Sequence, residues 1–113
     1  MAIDEDGLTK KVRDLNDAMR MHGIGGQIML TVGIRELGDR VVDQIVAAVR
    51  DFDNFSEDND PYKEHDYGSV VVGGNKVLWK IDYYDRNLQY GSPDPSNPAV
   101  TKRILTIMLA SEY

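Results

Sequence analysis

The sequence contains no cysteine, which excludes disulfide bonds, thiolate metal ligands and a cysteine nucleophile. It also lacks any apolar run near the roughly 20 residues that a membrane-spanning helix needs. The start of the chain, residues 1–6, is acidic and polar, unlike a signal or transit peptide. These absences predict a cytoplasmic protein that does not enter a membrane.

The chain has 113 residues, of which 42% are hydrophobic and 28% are charged. This length and this balance predict one folded domain over residues 1–113.

The negative charge of the chain is concentrated in one segment. Residues 51–66 carry seven acids and one base, Lys63, so this segment alone has a net charge of −6, which is the net charge of the whole chain. A concentrated field of this sign repels nucleic-acid phosphates and attracts divalent cations or a basic protein surface. Direct duplex binding is therefore not expected here.

Apolar periodicity predicts helices over residues 8–22 and 40–51, the second capped by Asp39, and a strand over residues 27–32. Gly73, Gly74 and Asn75 predict the turn of a hairpin between strands over residues 67–72 and 76–84.

Asn97 and Pro98 are typical of a helix start, and the apolar residues that follow predict a final helix over residues 98–111. This helix is expected in the core or at an oligomer contact. The predicted order is α-β-α-β-β-α, an α+β fold with a three-stranded antiparallel or mixed sheet and helices on one face.

Three segments together resemble a known family: residues 52–68, residues 79–85 and residues 100–113. The family is a bacterial domain-of-unknown-function family of short acidic proteins, often encoded on plasmids and other mobile elements. The resemblance implies no activity. It does imply an accessory factor, such as an inhibitor of host defence of the anti-restriction or anti-CRISPR kind.

The hairpin register places several polar side chains on one face. If Gly73 and Gly74 form a two-residue turn, His65 lies opposite Asp82 and Tyr67 opposite Lys80. A His65–Asp82 dyad assisted by Lys80, with or without a bound divalent metal ion, would suit a small hydrolase-like enzyme. A three-residue turn would instead pair Asp66 with Asp82. A solvent-facing hairpin with modest ion pairs is the simpler interpretation.

No dedicated metal site or cofactor is predicted. Residues 64–66 alternate between strand faces, and His22 is the only other histidine available for zinc. A calcium loop starting at Asp51 fails because Ser56 stands where glycine is needed and Tyr62 where glutamate is needed. Weak binding of divalent cations to the acidic segment remains compatible with its charge.

The favoured hypothesis is a binding protein that docks on a basic surface of a partner. The family resemblance implies that this partner is a nucleic-acid-handling defence protein. The predicted docking residues are acids and tyrosines of one segment: Glu57, Asp58, Asp60, Tyr62, Glu64, Asp66 and Tyr67. The alternative is structural, with these polar groups bonding nearby backbone amides and with Glu64 and Asp66 accepting from Arg35, Arg86 or Arg103.

Overall fold

A computed structural model describes residues 7–113, so the acidic start of the chain lies outside the described residues. The amphipathic patterns of the first half form three α-helices: α1 (Gly7–His22), α2 (Val32–Arg35) and α3 (Asp39–Arg50). The rest of the described chain forms strands and a short 3-10 turn: β1 (Gly26–Leu30), β2 (Tyr67–Val72), β3 (Asn75–Tyr84), β4 (Lys102–Leu109) and η1 (Ala110–Glu112). No helix within residues 7–113 is both long and apolar enough to cross a membrane.

The four strands form one mixed sheet in the order β1-β4-β3-β2. β1 runs parallel to β4, whereas β3 runs antiparallel to both β4 and β2. Alternate residues of the sheet, among them Trp79 and Ile107, pack with Met19 of α1 and Ile45 of α3 in a single core cluster. The helices therefore cover one face of the sheet, as predicted for an α+β fold. The opposite face, called the open face below, carries exposed residues such as Met29 and Val71 as well as the buried Leu78 and Met108.

The predicted hairpin is confirmed, and of the two registers considered the structure has that of the two-residue turn. Gly73 and Gly74 form the two-residue turn with φ values of 57° and 80°, and Val72 pairs with Asn75. Both φ values lie in the left-handed region that a type I′ turn needs and that glycine adopts without strain.

The predicted final helix over residues 98–111 is wrong, because most of this segment forms β4 in the interior of the sheet. Asn97 accepts a hydrogen bond from the Ala99 N–H in a local turn instead of capping a helix. On β4, Arg103, Leu105 and Ile107 alternate toward the core. A short run that is apolar on most positions fits a buried strand as well as a buried helix, and periodicity does not separate them.

The sheet therefore has four strands where three were predicted, and the element order is α-β-α-α-β-β-β followed by η1. The first strand ends at Leu30, and α2 begins two residues later. Asp39 is the first residue of α3 while Gly38, with φ of 91°, occupies the cap position. The acidic side chain thus lies in the first turn, where it complements the helix dipole.

Candidate functional site

The acidic loop, residues 51–66, connects α3 to β2 and is ordered by its own polar side chains. The Asn59 carboxamide accepts from the Ser56 N–H (2.9 Å) and donates to the Asn54 carbonyl (2.9 Å). The Asp60 N–H donates to the Ser56 carbonyl at 2.8 Å. These short-range bonds are those expected of Asn and Asp in turns, and they give the loop a fixed path.

The acids of this loop separate into an outward and an inward group. The outward group is exposed, and no hydrogen bond or ion pair within residues 7–113 involves its carboxylates: Asp51, Asp53, Glu57 and Asp58. The inward group is buried or half-buried: Asp60, Glu64 and Asp66. Asp60 is only 5% exposed, and its Oδ1 accepts from the His65 N–H at 3.1 Å.

The predicted docking set is thus divided by the structure. Glu57, Asp58 and Tyr62 are exposed, Tyr62 to 79%. Tyr67 is half-buried at the start of β2, and the inward acids are turned toward the protein itself.

The inward half of the loop meets helix α1 at Asn16, which is completely buried. Its amide nitrogen donates to the Glu64 carbonyl (2.9 Å) and to the Tyr83 hydroxyl (2.7 Å). Its amide oxygen accepts from Arg103 Nε at 2.7 Å. One side chain therefore joins α1, the acidic loop, β3 and β4, and each of its polar atoms is used.

Tyr83 and Arg103 complete this buried network. The Tyr83 hydroxyl donates to Glu64 Oε1 at 2.7 Å, and burial raises the pKa of this phenol, so it remains a donor. Arg103 donates to the Pro95 carbonyl at 2.6 Å, and its guanidinium lies 5.1 Å from the centre of the Tyr83 ring. Burial lowers the pKa of Arg103. The structural interpretation of Glu64 is therefore supported, with Tyr83 as the side-chain donor in place of an arginine.

His65 lies between two carboxylates and against an aromatic ring. Its Nδ1 is 2.9 Å from Asp17 Oδ1, and its Nε2 is 3.6 Å from Asp60 Oδ2. The imidazole stacks on Phe55 with a centroid distance of 3.7 Å and an interplanar angle of 4°. Its φ of 56° is in the left-handed region, so these contacts hold a backbone conformation that is uncommon for residues other than glycine.

The predicted pairing of His65 with Asp82 is wrong. The strand begins only at Tyr67, and the left-handed residue His65 turns its ring toward α1 instead of continuing the ladder. Asp82 forms an ion pair with Lys80 at 2.9 Å on the open face of the sheet. This contact with Asp82 raises the pKa of Lys80.

Asp66 lies between His65 and the first residue of β2, and it is half-buried. Burial, followed by the nearby Glu64 carboxylate, raises the pKa of Asp66.

Two shallow clefts meet at His65 and Phe55. One, of about 350 Å³, is also lined by Arg13, Ser56 and Lys63. The other, of about 400 Å³, is also lined by residues of α1 and α3, among them Asp17 and Arg20. Within residues 7–113, no three His, Asp or Glu side chains are grouped so as to hold a metal ion.

Arg20 fixes the carboxylate that faces the histidine. Its Nη1 donates to Asp17 Oδ1 at 3.0 Å, and its Nη2 donates to the Phe52 carbonyl at 3.2 Å. The guanidinium lies 5.3 Å from the ring centres of both Phe55 and Trp79. This arrangement orients Asp17 toward His65 and ties the loop to the core.

Sequence reasoning missed four residues outside the loop that organise it: Asn16, Asp17, Arg20 and Tyr83. It named Arg103 as a donor to Glu64 or Asp66, whereas Arg103 donates to Asn16 and to the Pro95 carbonyl. Two of these five residues had a readable signal. Asn16 interrupts the stripe formed by Val12 and Met19, and Arg103 stands in a segment that is otherwise mostly apolar. A polar residue at a core position predicts a buried partner, although it does not say which residue that partner is.

Fold and site together define a small α+β protein with a four-stranded mixed sheet and an internally bonded acidic loop. The chain belongs to the family described as "Protein of unknown function (DUF3768)", whose model matches residues 30–112. The match includes the whole acidic loop and all of the sheet except the first part of β1. Neither a curated protein nor a solved structure matches the chain.

Proposed function

We propose that this protein is a small protein-binding accessory factor that docks on a basic surface of a partner. The observation that supports this most directly is the outward group, four exposed carboxylates on one loop that have no partner within residues 7–113. Asp51, Asp53, Glu57 and Asp58 replace the larger sequence-based set as the proposed docking acids, with the exposed ring of Tyr62 beside them.

The internal bonding of the loop favours such a role. Asn59 and the buried Asp60 hold the loop in one shape, so the outward carboxylates lose little conformational freedom when a partner binds. The outward carboxylates repel one another, and a basic surface on a partner would offset this repulsion on binding. The opposite charges would also increase the rate at which the two proteins associate.

The more specific form of the proposal concerns the kind of partner. We propose a nucleic-acid-handling defence protein, for which the carboxylates take the place of phosphates, as an anti-CRISPR or anti-restriction inhibitor from a mobile element would require. If so, duplex DNA and this protein compete for the same basic surface.

A charge-matched pair of variants tests the docking proposal. Glu57→Gln/Asp58→Asn removes two charges from the outward group, whereas Glu36→Gln/Asp43→Asn removes two exposed charges elsewhere. In capture experiments from host lysate at low and high salt, we expect the first variant to lose a salt-sensitive partner and the second to retain it. Equal capture by both variants, or capture that ignores salt, contradicts the proposal.

The captured partner then allows the more specific proposal to be tested. Adding duplex DNA should release it from the immobilised protein, because the two ligands share a surface. A partner that stays bound in the presence of saturating DNA binds this protein elsewhere.

A second candidate function is a small hydrolase-like enzyme, and the Asp17–His65 contact favours it. A carboxylate on Nδ1 orients an imidazole as a general base, and Ser56 lines the same cleft. A panel of ester and phosphoester substrates tests it. Activity that His65→Ala abolishes and Asp17→Asn reduces supports this function, and activity unaffected by either variant excludes His65 as its base.

A further inference from the structure

Strand β2 forms one edge of the sheet. Its backbone N–H and C=O groups point alternately toward β3 and away from the sheet. A two-residue turn closes on a hydrogen-bonded pair, here Val72 and Asn75, and such pairs alternate along the ladder. The Ile81 N–H donates to the Asp66 carbonyl at 2.8 Å, which continues the same alternation. The even-numbered residues therefore bond to β3, and the backbone groups of Tyr67, Ser69 and Val71 point outward.

This outward row of backbone groups is unpaired within the described residues. Within residues 7–113, no hydrogen bond beyond the β2–β3 ladder involves the backbone of Tyr67, Ser69 or Val71. The strand, Tyr67–Val72, contains no charged residue and no proline, and it is rich in β-branched valine. Native edge strands usually carry a charge, a proline or a bulge that prevents pairing with another strand. An edge without these devices accepts a further β-strand.

We propose that β2 pairs antiparallel with β2 of a second copy of this chain, with a two-fold axis at Ser69. The alternation allows this register, because hydrogen-bonded pairs must join outward residues: Ser69 with Ser69 of the second copy, and Tyr67 with Val71 in both directions. Three such pairs supply about six backbone hydrogen bonds. The interface uses the same patch on both copies and closes as a dimer.

The side chains of this strand are also self-complementary in the proposed register. Tyr67, Ser69 and Val71 lie on the open face of the sheet, and Val71 is 71% exposed. Pairing places the Tyr67 ring of one copy beside Val71 of the other, an aromatic–β-branched combination that stabilises antiparallel sheets. The two serines, which are exposed in the single copy, meet at the axis.

Charge sets the conditions under which the dimer forms. Each copy has a net charge of −6, so the two copies repel each other at low ionic strength. Added salt screens this repulsion and should strengthen the dimer. Docking of the outward acids on a basic partner has the opposite salt dependence, so the failure of one proposal is distinguishable from the failure of the other.

Sedimentation measurements on the full chain at low and high salt provide the first test. Because the Ser69 N–H points outward, Ser69→Pro removes both hydrogen bonds of the Ser69 pair, one donated by each copy, and leaves the β2–β3 ladder intact, whereas Ser69→Ala keeps the N–H. We expect a salt-strengthened dimer for the unsubstituted chain and for Ser69→Ala, and self-association at least about tenfold weaker for Ser69→Pro. If Ser69→Pro does not fold, Val71→Lys, which adds a charge beside Tyr67 of the second copy, takes its place.

Cross-linking identifies the strand involved. Since the chain has no cysteine, Ser69→Cys introduces a single thiol, and the proposed register places the two Cα atoms about 5.5 Å apart. A short bis-maleimide should join two copies of Ser69→Cys efficiently. Met29→Cys places the thiol on β1, the opposite edge, at a residue that is 53% exposed, and it should not cross-link above background. A monomer under all conditions, equal association of Ser69→Pro and Ser69→Ala, or preferential cross-linking at position 29 would each overturn the proposal.

Discussion

The two halves of the acidic loop contain similar residues and do different work. In residues 51–58, the carboxylates are exposed and bond to nothing else within residues 7–113. In residues 60–66, the Asp60 carboxylate accepts from the His65 N–H and the Glu64 carboxylate from the Tyr83 hydroxyl, while Asp66 is half-buried. Asp58 and Asp60 are only two residues apart, yet Asp58 is exposed to solvent and Asp60 is buried. Charge density along a sequence does not reveal how much of that charge is available to a partner.

The largest effect is expected from removing the amide that anchors the inward half. Asn16→Ala leaves the Arg103 guanidinium, the Tyr83 hydroxyl and the Glu64 carbonyl each without one buried partner. We expect a loss of about 3 kcal/mol in the free energy of unfolding, measured by urea denaturation. Gln44→Ala, on the exposed side of α3, is the control and should change stability by less than about 0.5 kcal/mol. Similar values for the two variants would show that the network contributes little.

A medium effect is expected from a matched substitution in each half of the loop. Asp60→Ala removes the acceptor of the His65 N–H from a buried position and should cost about 1–3 kcal/mol. Asp58→Ala removes an exposed carboxylate without a partner within residues 7–113 and should change stability by less than about 0.5 kcal/mol. Both free energies come from the same denaturant titration. The contrast between the two halves disappears if the two variants are equally stable.

The smallest effect concerns Asp66 and depends on pH. Burial raises the pKa of Asp66 in the folded state, so the folded state holds this proton more tightly than the unfolded chain. The ionised carboxylate therefore lowers stability as the pH rises from below the unfolded pKa to above the folded pKa. Asp66→Asn should raise Tm relative to the unsubstituted protein at neutral pH, and the gain should vanish near about pH 3. A gain of the same size at both pH values would assign it to another cause.

The hairpin shows how far the sequence alone leads. Gly73 and Gly74 determine a local turn, and the turn determines the register of all the pairs that follow. Both strands were therefore predicted, and the observed pairing is one of the two registers considered. The same logic failed at His65. His65 has a positive φ two residues before β2 begins, so the β2–β3 pairing does not extend to it. Its ring contacts Asp17, which is 48 residues away in the sequence.

β4 was missed, and the partners of the inward acids were not identified, for a related reason. Whether residues 102–109 become helix or strand is decided by pairing with β3 and β1, not by their own pattern. Likewise, the path of Glu64 depends on Asn16 and Tyr83, which come from distant parts of the chain. Local signals predicted local structure, and the features that needed distant partners were the ones that the sequence did not reveal.

The position of Trp79 makes it an intrinsic fluorescence probe of the acidic loop. It is the only tryptophan of the chain, it is fully buried, and it touches the edges of Phe52 and Phe55 with the Arg20 guanidinium alongside. Its emission spectrum should therefore respond when the acidic loop separates from α1, because water then reaches the indole. Loop detachment can be followed by intrinsic fluorescence, without an attached dye.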